Sequence, residues 1–401
     1  MPVPDTGVRP LARRLPSIPF LVALNGLMPL GMQGLLPALP LITRELHSTA
    51  STIQWAVTLY MLAVGFSQLV YGPLSDLLGR RPLVLAGMLI FTGGSLVCAL
   101  GDSASIILLG RLVQGVGACT GVVLGRAMVR DVFPPHRATT VLAYVSMALM
   151  AFPGIAPIAG GFVIELSNWR FLFAGMGLCG LVLFLLSLGL AETNLSPAKL
   201  PSLSSFMRDL VSLLRLPAFL RPALVSSLSS GGFFSFLSIS PIMAQDILHI
   251  PPERYGLYFV IVPMGFFAGS FLSTRIVPWL GPERSSLYGV AGSTICGAVL
   301  VAFAIDGRLT PLTLFLPVSL LNVFWGIAQP AFTVMAISAN PRLIGTSSGL
   351  LGFMQMMFGA AGTQMVAQIY DRTAVPGAGM IAGASALALA VLLVHRFRAR
   401  R

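Results

Sequence analysis

Four groups of residues in this 401-residue chain carry charge or hydrogen-bonding capacity where the surrounding sequence is apolar. The densest is Gly72-Pro73-Leu74-Ser75-Asp76-Leu77-Leu78-Gly79-Arg80-Arg81-Pro82, in which an acid stands four residues before the first of two arginines. Gly110-Arg111-Leu112-Val113-Gln114-Gly115 sets an arginine and an amide inside an apolar run; Arg126 follows, and Arg130-Asp131 closes the run. Gln33 stands isolated in LMPLGMQGLLPALP. The chemistry open to such a set is the making and breaking of ion pairs, and recognition of polar or anionic groups by guanidinium and amide donors. An enzyme is not indicated. The 13 Asp and Glu residues and the four His fall in loops, tails or helix ends, and no metal motif, nucleophile elbow or phosphate-cradling loop occurs. Cys98, Cys119, Cys179 and Cys296 lie within apolar runs, so neither a disulfide framework nor a metal cluster is expected, and no cofactor is.

The elements that position these residues must be membrane spans. Hydrophobic residues make up 56% of the chain and charged ones only 9%, against about 25% in soluble domains. Mean hydropathy is +0.87, and only a bilayer solvates such a chain. Apolar runs of about 20 residues mark twelve candidate helices at 18–42, 53–75, 82–101, 105–129, 139–164, 170–190, 222–245, 255–277, 285–304, 311–336, 344–368 and 377–395. Arg9, Arg13 and Arg14 before the first run imitate a secretory signal, but the run is too long and lacks a clean cleavage site. The fold class expected is an all-α membrane protein, with the Gly72–Pro82 stretch a charged hairpin turn.

Basic residues set the orientation. With both termini cytoplasmic, 18 of the 25 Lys and Arg residues fall on the cytoplasmic side and five on the other (Arg44, Arg170, Arg254, Arg308 and Arg372), while Arg111 and Arg126 lie within spans. The net charge of +12 is thus a topology signal, and its dispersal over loop ends argues against a nucleic-acid partner. The longest polar stretch divides the chain into a cytoplasmic tail (1–17), a six-helix bundle (18–190), a linker (191–221) holding the sole lysine, Lys199, a second six-helix bundle (222–395) and a cytoplasmic tail (396–401). Two such halves are related by an axis along the membrane normal, with one pathway between them.

The stretch Gly72–Pro82 resembles the loop between helices 2 and 3 of the major facilitator superfamily, G-x-L-(S/A)-D-x-x-G-R-(R/K)-P. With LMPLGMQGLLPALP, STIQWAVTLY, the R-x-x-Q-G of Arg111 to Gly115 and the Arg130-Asp131 pair, the chain is similar to the Bcr/CflA drug-resistance exporters over nearly its whole length, most strongly in the first half. Phe152-Pro153-Gly154-Ile155-Ala156-Pro157-Ile158-Ala159-Gly160-Gly161 resembles the antiporter signature G-P-x-x-G-G, with Ala156 replacing the first glycine. The resemblance implies a twelve-helix transporter in a bacterial inner membrane, here expected as a monomer with a small-molecule substrate. It also implies a gate built of Gly72, Asp76, Gly79, Arg80, Arg81, Arg130 and Asp131. Asp76 would sit at the start of helix 11, near Gly345-Thr346-Ser347, and Arg80 or Arg81 would pair with Asp131. Pro153, Pro157, Gly160 and Gly161 would carry the antiporter motif, which in the family marks exporters.

The pathway departs from the family. Related exporters usually carry a helix-1 acid, a candidate for taking the coupling proton, where this chain has Gln33. At 1.5 Å per residue Gln33 lies roughly 13 Å and Arg111 roughly 9 Å below the outer face, so the two are expected to line the pathway together and to be able to hydrogen-bond. Arg126 is displaced about 60° from Arg111 around the helix, and either shares that side deeper in or snorkels to the cytoplasmic end, the reading its position favours. Gln114, Phe233 and Phe234 complete the cavity set; packing or lipid contact is an equal reading for each phenylalanine. A cavity with arginines and no carboxylate suits neutral or anionic amphiphiles, exported by proton gradient or membrane potential. A dedicated exporter of an endogenous metabolite such as a siderophore, and a non-transporting receptor or scaffold on the same fold, are the alternatives.

Overall fold

The structure is a computed structural model and describes residues 14–194, 202–307 and 309–399; the outer parts of both expected tails and the part of the linker with Lys199 lie outside the described residues. In chain order the helices are α1 (Ile18–Gln33), a 3-10 turn (Leu36–Ala38), α2 (Leu39–Glu45), α3 (Ala50–Leu78), α4 (Arg80–Leu100), α5 (Ala104–Val132), α6 (Pro135–Leu166) and α7 (Trp169–Leu188). There follow α8 (Leu203–Arg215), α9 (Pro217–Asp246), α10 (Pro252–Phe259), α11 (Ile261–Leu280), α12 (Pro282–Asp306), α13 (Pro311–Ile337), α14 (Ile344–Ile369) and α15 (Val375–Ala399).

Ten stretches among the described residues are long and apolar enough to cross a bilayer, and α6 and α14, at 32 and 26 residues, match them in length. Two of the passages are broken, each at a proline. Pro37 has no N–H to give the Gln33 carbonyl, so the first span runs through α1, the 3-10 turn and α2. Pro263 likewise cannot bond the Phe259 carbonyl, and the chain breaks between α10 and α11.

Helices α1 to α7 form one bundle and α9 to α15 a second, and the pairings repeat. In the first, α5 packs on α3, α4 and α1, and α4 on α7; in the second, α13 packs on α11, α12 and α9, and α12 on α15. The bundles meet where α3 lies along α14, where α6 meets α10 and α11, and where the 3-10 turn meets α9 and α10. Helix α8 falls inside the stretch expected as linker. Leu210 and Leu213 tie it to Phe219, Leu350 and Leu351 of the second bundle.

The Gly72–Pro82 stretch is not an open turn. It is helical on both sides of Gly79, which alone reverses the chain at φ +94° and ψ 160°. That region is open essentially to glycine only, so one residue does what a loop was expected to do.

Candidate functional site

Two ends of the molecule can be named by their acids, the Asp76 end and the Glu45 end. At the Asp76 end Arg80 is buried and held by three oxygens. Its Nε donates to Asp131 Oδ2 at 3.0 Å, its Nη1 pairs with Asp76 Oδ1 at 2.6 Å, and Nη1 also donates to Ser75 Oγ. Arg80, not Arg81, is therefore the partner of Asp131. Arg81 donates instead to the Leu188 carbonyl at 3.0 Å. Arg130 is exposed.

Asp76 departs from its expected place. Its carboxylate pairs with Arg80 one turn on, across the Gly79 reversal, and its side chain is 51% exposed. The reason lies in how α3 and α14 run. They touch at Phe66 and Phe353 and where Gln68 and Leu69 meet Gly349 and Gly352, but a Cβ built at Gly72 or at Gly345 meets nothing within 4 Å. Ser347 Oγ is left buried without a partner.

Sequence reasoning missed Glu192, which organises this end. Its Oε1 accepts backbone N–H groups of Arg80 (2.8 Å), Thr193 (2.9 Å) and Asn194 (2.9 Å), and its Oε2 that of Arg81 (3.1 Å). The start of α4, which has no side-chain cap of its own, is thus capped from 112 residues away. Asn194 in turn donates to the Asp76 carbonyl at 2.9 Å, Thr193 donates to Asp131 Oδ2 at 3.3 Å, and backbone bonds join Arg14 to Gly189 and Ala191. The one available signal was an acid directly after a span, followed by two small polar residues.

Burial acts to raise the Glu192 pKa, but the N–H donors of Asn194, Arg80, Arg81 and Thr193 prevail and hold it below the ordinary carboxylate range. A depressed pKa in the folded state means the clamp contributes fully above the ordinary carboxylate pKa and is lost as pH falls through the lowered value. Glu192→Gln is expected to free residues 189–194, read as severalfold faster amide exchange there at pH 7, with little further change on acidification. Unchanged exchange would remove the clamp from the account.

Inside the first bundle Arg111 is fully buried. Its Nε donates to the Ala56 carbonyl (3.0 Å), and its Nη1 to the Gly31 carbonyl (2.8 Å) and to Gln114 Oε1 (2.5 Å), while the guanidinium lies 4.1 Å from the centre of the Tyr60 ring. Gln114 passes the chain on to Ser95 Oγ at 2.8 Å. Arg111 and Gln114 thus brace α1, α3 and α4 against α5 and do not face the pathway in this conformation. Gln33 is also buried, at 4% exposure, with Oε1 unpartnered, so the expected Gln33–Arg111 hydrogen bond is absent. Two backbone carbonyls and the Gln114 amide oxygen thus meet Nε and Nη1 in place of a counter-acid, while Nη2 is left buried without a partner.

Arg126 is exposed and has no hydrogen-bond or ion-pair partner among the described residues. Gly121 and Gly125 of α5 abut Leu24 and Asn25 of α1, and Gly115 abuts Tyr60 and Ala63 of α3. At 100° per residue Arg126 lies about 20° around the helix from Gly115, on the side of α5 that packs against α3. Within the second bundle Ser226 donates to Gln329 Oε1 (3.0 Å) and accepts from Gln355 Nε2 (2.7 Å), a neutral polar cluster joining α9, α13 and α14. Phe233 and Phe234 are half-buried with rings 5.6 Å apart, and Phe234 packs toward Gly359 of α14.

The antiporter-like segment of α6 is wedged between the bundles. Gly160 allows the Gly34 carbonyl close, where a Cβ would stand 2.4 Å from it, while Ile158 meets Gly256 of α10 and Gly154 faces Pro263 of α11. Pro157 and Gly161 are buried; the side chain of Pro153 lies outside the described residues. Toward the Glu45 end the bundles are also joined by Thr58, whose hydroxyl bonds Thr363 (3.2 Å) and Gln364 (3.4 Å). Among the described residues, the polar bonds between bundles lie toward this end.

Two helical bundles of apolar spans with a charged reversal at one end form the architecture of membrane transporters, and similarity to known proteins agrees. The family model "Major Facilitator Superfamily" matches residues 21–363, and the chain belongs to that superfamily. The chain is 29% identical over 373 residues to the uncharacterized MFS-type transporter YdgK of Bacillus subtilis, covering 92% of each chain. It is 27% identical to a bicyclomycin resistance protein homolog of Haemophilus influenzae (88% of this chain, 89% of the relative). It is 29% identical to a chloramphenicol resistance protein of Pseudomonas aeruginosa (86% and 83%). These relatives agree with the Bcr/CflA resemblance read from the motifs. The nucleoside transporter NupG shares the fold at TM-score 0.74 and 12% identity, covering 94% of this chain and 99% of that one. The D-xylose-proton symporter does so at 0.72 and 15%, covering 94% and 96%.

Proposed function

We propose that this transporter is a secondary exporter of small neutral or anionic amphiphiles, working by alternating access with the Asp76 end cytoplasmic. The observation that carries the substrate class is Arg126, an exposed cation within a span and without an ion-pair partner among the described residues, in a chain whose carboxylates stand only at helix ends and in loops. A guanidinium without a counter-acid, with a second arginine, Arg130, one turn on, favours an anionic or strongly polar group and disfavours a lipophilic cation. The Arg80–Asp131 and Arg80–Asp76 pairs supply a latch able to exist in two arrangements, Asp76 moving between Arg80 and the start of α14. Such a latch speaks against a non-transporting receptor. The antiporter-like segment between the bundles supports the outward direction, and the drug-resistance relatives support efflux.

Gln33 in place of an acid leaves the gate carboxylates Asp76 and Asp131 as the groups through which a proton could be coupled. An anionic substrate needs no proton, because each exported negative charge gains about 2.3 kcal/mol per 100 mV of an interior-negative potential. The test is efflux from cells lacking their own pumps, for chloramphenicol and for an acidic siderophore, with pH gradient and potential collapsed in turn. Arg126→Gln is expected to cut transport about tenfold or more, with Arg126→Lys recovering part of it. Undiminished transport by Arg126→Gln, or preferred efflux of a cation such as ethidium, would overturn the substrate class. If neither compound moves, comparing metabolites in medium and cells with and without the protein distinguishes a dedicated exporter, which shifts one native acidic metabolite, from a receptor, which shifts none.

A further inference from the structure

A cavity of about 480 Å³ opens at the Asp76 end of the second bundle, lined by α9, α12, α13 and α15 and by no residue of the first bundle. Its body is apolar, formed by Phe332, Met335, Leu287, Leu392 and Pro222. Charged groups of both signs border it: Glu283, which is exposed, and Arg221, which is half-buried. Two helices begin at this opening and two end there, so positive and negative helix ends alternate around it. A site of this volume, mostly apolar with a few placed polar groups, has the form of a small-molecule pocket. Its position at the ends of four spans puts the mouth at the level of lipid headgroups.

We infer that this cavity binds a zwitterionic amphiphile, separate from any transported substrate. Its phosphate-type anion sits against Arg221, its primary ammonium donates to Glu283, and its apolar body covers Phe332, Met335 and Leu392. The guanidinium has five donors, enough to hold a protein contact and an anion together. A purely anionic amphiphile would meet Glu283 with like charge, and a cationic one would meet Arg221 so; only a ligand with both charges satisfies the two. Phosphatidylethanolamine from the bilayer and a soluble amphiphile with the same head share this chemistry.

The full-length protein in a neutral detergent is melted with dihexanoyl phosphatidylethanolamine, phosphatidylcholine or phosphatidylglycerol at equal concentration. Phosphatidylethanolamine is expected to raise the melting temperature several degrees more than either of the others, the first lacking N–H donors and the second a cationic group. Met335→Trp, which fills the cavity, abolishes that increment, and Glu283→Gln brings phosphatidylethanolamine level with phosphatidylglycerol. Should Met335→Trp not fold, Glu283→Gln carries the test alone. Equal shifts from all three lipids, or an undiminished preference in Glu283→Gln, overturn the inference. Phosphatidylethanolamine co-purifying with wild type but not with Met335→Trp marks the bilayer as the source; a response to added lipid without co-purification marks a soluble one.

Discussion

An Arg111→Ala protein is expected to melt far below the wild type and to accumulate poorly in the membrane. The substitution leaves the Gly31 carbonyl and Gln114 Oε1 without the donor that now joins them, and opens a void beneath Tyr60. Each buried polar group so orphaned costs about 1–3 kcal/mol, and the lost packing adds to that. Arg111→Lys retains the charge but not the fork, so it recovers only part of the loss. The measurement is the melting temperature of purified protein beside the transport rate of whatever folds. A variant that melts like wild type yet fails to transport would return Arg111 to the pathway and make the bracing role wrong.

Gly79→Ala has the second large expected effect, and it strikes the gate while sparing both bundles. The backbone at φ +94° and ψ 160° costs an alanine about 1–3 kcal/mol. The new Cβ would also stand 2.4 Å from Glu192 Oε2, so the carboxylate that caps α4 must move. The protein should insert normally and transport at least several-fold more slowly, with faster amide exchange in residues 189–194 as the structural readout. Normal transport together with fast exchange would uncouple the clamp from the gate.

Much of this protein was legible in its residues. The bilayer class follows from composition alone, and the spans follow from run length, since a 20-residue apolar stretch has few alternatives. The Arg80–Asp131 pair was legible down to two candidates because both arginines stand at the head of one span and the acid at the foot of another. The choice between them belongs to Gly79, whose reversal aims Arg80 inward and leaves Arg81 to the Leu188 carbonyl. Glu192 was illegible because its role is made wholly by partners distant in sequence, all of them backbone N–H groups that carry no residue signature.

What the sequence determined by itself is whatever depends on counting along the chain: the medium, the number and order of long helices, the charge bias of their ends, and the residue types available to a gate. Only the tertiary structure decided which way each helix is turned. In lipid, polarity around a span is a weak guide to its facing, and rotation is set by where small residues let backbones meet. Helix α5 is the case in point. Gly115 against Tyr60, Gly117 against Phe91 and Gly121 against Leu24 turn Arg111 into the bundle, and the same turn leaves Arg126 exposed.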